Sequence, residues 1–435
     1  MDRIIYHVDV NSAFLSWEAV YRIHHLGMKK DLRMIPSAVG GDKEKRHGII
    51  LAKSIPAGKY GVRTGEPVTD ARKKCPKLLL VPPNYRLYQR SSQALFQILS
   101  QYTDRIERYS IDEAFMDMTG CTARPVETAY KLKQEVTEKL GFTVNIGVAG
   151  NKLLAKMASD FQKPDQVHTL WPNEIERKLW PLSVGELFYV GPATRKKLEG
   201  LGIHTIGQLA AAPEHSLKAH FKSHGSLIRQ YANGLDSSEV ISLPPSNKSN
   251  KGYGNSLTTP KDVCDGELAR LYLLSLAETL SARLRADRVK IGVVAVSIRD
   301  YTLVFTSRQV TLSNPTDLTS EIYQAACICF EQLWKGLPIR HLGIHTNQVT
   351  TEAGRQMELF QSLDYDKQKK AETAVDELRK RFGIDCVKRA SFLGSPANKE
   401  DLWIDHMGGG ISREKWTVDY NRELAVSPQK SVWAD

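Results

Sequence analysis

Three carboxylates define the chemistry this sequence can support. Asp9 closes an apolar, β-branched run from Arg3 to Val10, and Asp112 and Glu113 sit side by side within Tyr109 to Met118. Phosphoryl transfer from a nucleoside triphosphate needs cations that neutralise the triphosphate and sharpen the attacking hydroxyl, and two-metal sites hold such ions about 3.5–4 Å apart. Carboxylates at strand ends can bridge the pair, because Mg²⁺ takes few protein oxygens besides those of phosphate and water. Asp9 and the Asp112-Glu113 pair are distant in sequence, so they serve this chemistry only if two strands carry them to one sheet edge. Taken singly, each has a plainer reading: Asp9 or Asn11 as a helix cap, and Asp112-Glu113 as a solvated turn.

The elements that must position them follow from periodicity. Arg3 to Val10 alternates as a strand, and Tyr109 to Met118 reads as a strand pair with a tight connection at Asp112-Glu113. Pro125 to Leu140 has helical spacing, Phe142 to Val148 reads as a strand and Asn151 to Phe161 as a helix. Together these predict an α+β layer of ferredoxin-like plan, a sheet backed by helices on one side, with Asn11 to about Val81 inserted after the first strand. Trp171 to Asp236 turns helical, punctuated by Gly and Pro, and the polar stretch from Pro244 to Gly252 reads as a linker. A strand (Tyr253 to Thr258), a helix (Asp265 to Ala286), two strands (Lys290 to Arg299, Thr302 to Leu312), a helix (Thr316 to Trp334) and a strand (Ile339 to Asn347) then predict a second α+β domain. A further helix is expected over Asp366 to Phe382. At 435 residues, roughly three or four compact units is the length-based expectation.

Composition bounds the partners. With 41% hydrophobic and 25% charged residues the chain reads as soluble and globular, and no apolar run is long enough to span a bilayer. The start lacks a secretory hydrophobic region, so a cytoplasmic location without membrane partners is expected. Six scattered cysteines form no CxxC or Cys/His cluster, which argues against a zinc site or a disulfide framework. A net charge of +11 favours a polyanionic partner, and charge alone does not choose among DNA, RNA and an acidic membrane surface.

Three runs sharpen that choice. Asp9-Val10-Asn11-Ser12-Ala13-Phe14, the run from Tyr109 through Ser110-Ile111-Asp112-Glu113-Ala114 to Phe115, and Gly147 to Asp160 containing Asn151-Lys152 and Ala155-Lys156 resemble the bacterial Y-family (translesion) DNA polymerases in order and spacing. The resemblance spans residues 1 to 350 and implies a right-hand polymerase fold. Its parts would be a ferredoxin-like palm (1–10 and 82–166), small fingers (11–81), a helical thumb (167–236), a linker (237–251), an α+β little finger (252–350) and a C-terminal extension (351–435). It implies that Asp9, Asp112 and Glu113, with the Val10 carbonyl, hold two Mg²⁺ ions. It also implies that Lys163 contacts the incoming dNTP, and that Phe14 is a steric gate whose ring excludes a 2′-hydroxyl. The family carries Tyr-x-x-Arg before the Gly-Val pair, whereas alignment on Gly61-Val62 puts Ile55 and Gly58 there. Lys53, Lys59 or Arg63 stands as the substitute phosphate cation.

The DNA and partner surfaces are read from further motifs. Val190-Gly191-Pro192-Ala193 leading to Lys196, with Leu201-Gly202-Ile203, resembles a helix-hairpin-helix, whose backbone N–H groups can bind phosphate. Its plain reading is a packing turn. Lys248, Lys251, Lys261, Arg299 and Arg308 are expected on or beside strands, where a basic sheet face would track a duplex without reading sequence. Gln356-Met357-Glu358-Leu359-Phe360 resembles the bacterial sliding-clamp-binding peptide, and intramolecular packing is its alternative. The resulting expectation is a monomeric, low-fidelity polymerase acting on primer–template DNA. A non-catalytic polymerase-like adaptor and a nucleotide cyclase are the rivals.

Overall fold

The computed structural model describes residues 3–41, 48–242, 250–351, 365–392 and Met407. They form two compact units, one of residues 3–41 with 49–242 and one that includes residues 250–351 and 365–392.

In chain order the first unit comprises β1 (Ile5–Val10), α1 (Ala13–His24), β2 (Ser37–Gly40), β3 (Ile50–Lys53), α2 (Ile55–Lys59), α3 (Val68–Lys74), β4 (Leu79–Val81) and α4 (Tyr85–Leu99). It continues with β5 (Ile106–Arg108), β6 (Glu113–Asp117), α5 (Pro125–Leu140), β7 (Val144–Ala149), α6 (Lys152–Asp160) and β8 (Val167–Leu170). The helices α7 (Ile175–Lys178), α8 (Pro192–Gly200), α9 (Ile206–Ala211), α10 (Glu214–Phe221) and α11 (Ser223–Ala232) complete it. The main sheet has the order β5-β6-β1-β7-β8. Period-2 alternation gives β1 two buried faces: Tyr6, Val8 and Val10 join the core built with α1, α4 and α5, while Ile5 joins Phe115 and Ala149 against α6. The helices expected on one side are therefore matched by α6 on the other. Val167–Leu170, placed at the start of the thumb by the expected bounds, pairs in parallel with β7 as an edge strand of the main sheet. The three-stranded sheet β3-β2-β4 has a small core of its own around Ile50, Val62 and Val68.

The end of α5 shows why a boundary can be read from sequence. Pro125 takes the first turn, where a missing N–H costs nothing, and Gly141 stops the helix in the left-handed region at φ 73°.

The second unit contains β9 (Gly254–Val263), α12 (Gly266–Ala286), β10 (Lys290–Asp300), β11 (Phe305–Thr316), α13 (Thr319–Leu333), β12 (Ile339–Thr350) and α14 (Tyr365–Phe382). Its antiparallel sheet, ordered β11-β10-β12-β9, buries Val294, Val296, Ile298, Leu342 and Ile344 against α12 and α13. Helix α14 buries none of its residues and is held by charge. Glu372 pairs with Arg285, which also pairs with Asp376 at 2.5 Å. The Glu372 carboxylate further accepts from the Thr319 N–H at 3.1 and 3.2 Å, at the start of a helix whose N-cap, Leu318, supplies no side-chain acceptor. Glu372→Ala should therefore destabilise this unit by about 1–3 kcal/mol, through loss of the cap and of one partner of a buried guanidinium. Denaturant unfolding of the full chain measures this, and Glu372→Gln, which keeps the cap acceptor, should cost less.

Candidate active site

Register assembles the acidic edge. Strands β1 and β6 run antiparallel with Asp9 opposite Glu113 and His7 opposite Phe115. Directly opposed residues share a face, so Asp9 and Glu113 both stand on the face that α6 covers. The Val10 N–H donates to the Asp112 carbonyl at 3.1 Å, which fixes Asp112 at the same edge just before β6 opens.

Helix α6 approaches this face closely because residue 147 is glycine. Gly147 lies opposite His7 on β7, and a Cβ there would sit 2.0 Å from the Ala155 carbonyl oxygen and 2.6 Å from the Ser159 nitrogen. With that contact allowed, the Ser159 hydroxyl meets His7 Nδ1 at 2.8 Å. The helix then delivers Lys156, whose Nζ donates to Glu113 Oε1 at 2.7 Å and lies 3.5 Å from Asp160 Oδ2. Just past the helix, Lys163 donates to Asp9 Oδ2 and pairs with Asp160 Oδ1 at 2.7 Å. The Ser110 hydroxyl donates to Asp112 Oδ1 at 2.6 Å.

Four carboxylates thus face two ammonium groups, an excess of negative charge that runs from buried Asp9 out to exposed Asp160 and Lys163. Burial pushes the Asp9 carboxyl above its ordinary range, with the Glu113 charge adding to it and Lys163 opposing. Burial likewise raises Asp112, aided by the charge of Asp9 and opposed by the Ser110 hydrogen bond. Burial alone would lower the Lys156 ammonium, yet its hydrogen bond to Glu113 and the charge of Asp160 carry it upward. Among the described residues, no three acidic, imidazole or thiol side chains gather closely enough to hold a metal ion. Lys156, Lys163 and Ser110 occupy carboxylate oxygens of the set. The donors still fit a hard divalent cation: all are oxygens, they share one sheet edge, and Asp9 and Asp112 are raised by burial and by neighbouring carboxylate charge, which a bound cation would offset.

Of the expected nucleotide residues, Lys163 and Phe14 stand by this edge, while Lys53 and Lys59 end β3 and α2. Phe14 lies in the first turn of α1, directly after β1, with its ring stacked on Tyr88 at 4.4 Å and 9°. The space a side chain would take at Gly58 is filled by a neighbouring cation. A Cβ there would lie 2.7 Å from Lys53 Nζ, so the ammonium from β3 occupies the space beside the residue that stands where the family has Arg. Ser54 fixes this turn by accepting from the N–H groups of Ser37 and Ala57 at 3.1 and 3.0 Å. Ile55, Lys59 and Tyr60 are exposed.

The expected DNA residues divide. Gly191 caps α8, whose start is exposed together with Lys196. In the second unit Lys251 is exposed, and Arg299 follows buried Ile298 on β10, which puts it on the open sheet face. Arg308 does not share that face. It pairs with buried Val296, and its guanidinium donates to Gln332 of α13, so strand alternation turns it to the helix side. The open face is polar rather than basic, carrying Ser256, Thr258, Ser297, Ser307 and His345. Lys248 and the peptide Gln356, Met357, Leu359 and Phe360 lie outside the described residues.

Lys156, Asp160 and Asn145 had no role assigned from sequence, and Asn11 only that of a helix cap. Lys156 and Asp160 carry a signal, an i,i+4 charge pair within the Gly147 to Asp160 run. The asparagines carry none, since their partners are remote in sequence.

With this geometry in view, comparison with known proteins gives a consistent answer. Residues 8–160 match the impB/mucB/samB family, and residues 250–359 match the C-terminal domain of the same family. The chain belongs to this family, that of the Y-family DNA polymerases. It is 40% identical over 395 residues to the DNA polymerase IV of Clostridium acetobutylicum, covering 90% of this chain and 99% of that protein. It is 38% identical over 401 residues to DNA polymerase IV 1 of Bacillus subtilis, covering 91% of this chain and 95% of that one. A solved Y-family DNA polymerase chimera superposes with a TM-score of 0.68 at 24% identity, covering 80% of this chain and all of the other. The fold is the right-hand Y-family plan, and membership implies a divalent metal. Among the described residues, no helix is long and apolar enough to cross a membrane.

Proposed function

We propose that this chain extends a DNA primer by template-directed addition of dNTPs, with the β1–β6 edge as its catalytic centre. It is a DNA-directed DNA polymerase of the translesion class. The primer 3′-hydroxyl attacks the α-phosphorus of the dNTP, and the bond to pyrophosphate breaks. The observation that carries the reading is the cross-strand pairing of Asp9 with Glu113, with Asp112 beside them in an edge of excess negative charge. Asp9, Asp112, Glu113 and the Val10 carbonyl would hold two Mg²⁺ ions, which when bound neutralise the triphosphate and raise the nucleophilicity of the hydroxyl. Lys163 and Lys53 bind the triphosphate as point charges, Lys59 adds to the local field, and Phe14 stands beneath the sugar.

Residues 1–10 and 82–170 serve as palm, since β8 joins the main sheet, with 11–81 as fingers, 171–236 as thumb and 252–350 as little finger. Gly191, Lys196, Lys251 and Arg299 contact the DNA backbone, with Arg308 acting from the sheet edge. Gln356, Met357, Leu359 and Phe360 dock on the bacterial sliding clamp, which supplies processivity by tethering. The chain acts as a cytoplasmic monomer, distributively and with low fidelity. A cyclase is not favoured, because relatives matched over nearly their whole length are polymerases. A non-catalytic adaptor has no call on an intact acidic edge.

Primer extension on a defined template with Mg²⁺ tests the reading. Templated growth of the primer is expected, whereas conversion of free triphosphate without primer, or no extension at all, would overturn it. The Lys53 assignment has its own test. Lys53→Ala should raise KM for dNTP by about 10- to 100-fold, the worth of a hydrogen bond to a charged group. Gly58→Ala, whose methyl must displace that ammonium, should act in the same direction, and the double variant should be no worse than Lys53→Ala alone.

A further inference from the structure

A buried amide relay joins the two halves of the site. Asn145 on β7 is fully buried and uses its whole hydrogen-bonding capacity. Its Nδ2 donates to the carbonyls of Ser159 at 3.0 Å and Gln162 at 2.6 Å. Its Oδ1 accepts from Asn11 Nδ2 at 3.0 Å and from the Gln166 N–H at 3.2 Å. Asn11, two residues after Asp9, accepts at Oδ1 from the Thr143 hydroxyl and the Asp165 N–H, both at 2.9 Å.

Backbone carbonyls only accept and backbone N–H groups only donate, so the orientation of each amide is fixed by its backbone partners. Asn145 must turn Nδ2 to Ser159 and Gln162, and Asn11 must turn Oδ1 to Asp165. The remaining bond, Asn11 Nδ2 to Asn145 Oδ1, then has the only polarity that satisfies both. The relay grips the segment between α6 and β8 at Gln162 on one side of Lys163, and at Asp165 and Gln166 on the other. Lys133 adds a bond from Nζ to Asp165 Oδ1 at 2.7 Å. The gripped segment is the one that presents Lys163 to Asp9.

We infer that Asn145, acting through Asn11 and the 162–166 segment, is a positioning residue that sets the Lys163 ammonium against the acidic edge and so tunes binding of the dNTP triphosphate. The inference rests on the reading of Lys163 as a triphosphate-binding cation. Asn145 lies opposite Asp9 across the β1–β7 pair but spends its hydrogen bonds on Asn11, Ser159, Gln162 and Gln166, so its influence on the triphosphate passes through the placement of Lys163.

A double-mutant cycle on the full chain separates the possibilities, using single-nucleotide primer extension with kcat and KM for dNTP measured independently. Lys163→Ala should raise KM by about 10- to 100-fold, as for a lost charged hydrogen bond. Asn145→Ala should raise KM by about tenfold with a smaller change in kcat. It should have no further effect on KM in the Lys163→Ala background, because a positioning residue has nothing left to position. Asn145→Thr suits a strand, keeps one donor and should fall between wild type and Asn145→Ala, which preserves the test if the alanine variant does not fold. If Lys163→Ala raises KM while Asn145→Ala and Asn145→Thr do not, or if the effects multiply independently, the positioning role is wrong and the Lys163 reading stands. If Lys163→Ala leaves KM unchanged, the Lys163 reading fails and the inference with it.

Discussion

Asp112→Asn leaves the chain folded and reduces primer extension by at least about 10³-fold, the scale on which a group that stabilises transition-state charge is felt. The substitution keeps shape and removes charge. Its carbonyl oxygen can accept from Ser110 as Asp112 Oδ1 does at 2.6 Å, and the bond from the Val10 N–H to the residue 112 carbonyl is untouched. Stability in the absence of metal should stay level or rise. Burial and the neighbouring charge of Asp9 raise the Asp112 carboxyl, so the folded chain holds that proton more tightly than the unfolded one. Stability therefore falls as pH climbs through the raised value, and it is fully recovered only below the ordinary carboxylate range. The Asp112→Asn variant lacks this slope, so its advantage over wild type should be visible at pH 8 and vanish in acid. Single-turnover extension and thermal melting across pH measure the two halves. Extension within tenfold of wild type would remove Asp112 from the catalytic set.

The acidic edge was legible because a strand must expose alternate residues and end somewhere. An apolar run closing on Asp9, and a second run with Asp112-Glu113 at its centre, share an edge when the end of the first pairs antiparallel with the start of the strand after the turn, which is the register found. Helix α5 was legible because Pro125 and Gly141 mark its ends through backbone chemistry alone. Other features depend on neighbours remote in sequence. Strand β8 is four residues long, too short for alternation to separate it from the helical stretch after it, and it exists because β7 offers a parallel edge. The asparagine relay links residues more than a hundred positions apart, and nothing local distinguishes Asn145 from a solvated strand residue.

The side of the sheet on which Arg308 stands is an intermediate case. Composition placed it correctly on a strand, but a basic face requires the right parity, and a single-residue shift in register reverses it. Pairing with Val296 puts Arg308 with the core-facing set, where it stays exposed and bonds to Gln332 of α13. The polar open face still suits a nucleic-acid backbone, through hydroxyl and amide donors rather than a row of cations. Its binding should accordingly depend less on salt than a face of stacked lysines and arginines would. Lys53 shows the converse. Its neighbourhood with Gly58 was unreadable from spacing, because a strand end and a helix turn meet there only through the Ser54 turn.

Phe14→Ala should raise incorporation of ribonucleotides relative to deoxyribonucleotides by about 10²-fold or more, while changing dNTP use by less than about tenfold. An apolar pocket rejects an added hydroxyl weakly if its wall can yield, so strong rejection needs a wall that cannot move. Phe14 has such backing. It stacks on Tyr88 at 4.4 Å, meets Tyr85 edge-on at 6.1 Å and leans on Trp17 at 5.9 Å. Tyr88 and Trp17 are fully buried, and the Tyr88 hydroxyl is tied to Glu18 at 3.1 Å. A ring pressed toward this platform would have to displace core side chains, at about 1–3 kcal/mol for overpacking alone. Phe14 itself is only partly buried, so its removal should cost the fold about 1–2 kcal/mol, less than the 3–5 typical of a fully buried ring. Stability and selection are therefore separable. A Phe14 that serves only as core would lower the melting temperature on truncation and leave the ratio of kcat/KM for rNTP and dNTP where it was. A gate moves that ratio, and Phe14→Leu, which restores bulk without a flat rigid ring, should recover stability more fully than selection.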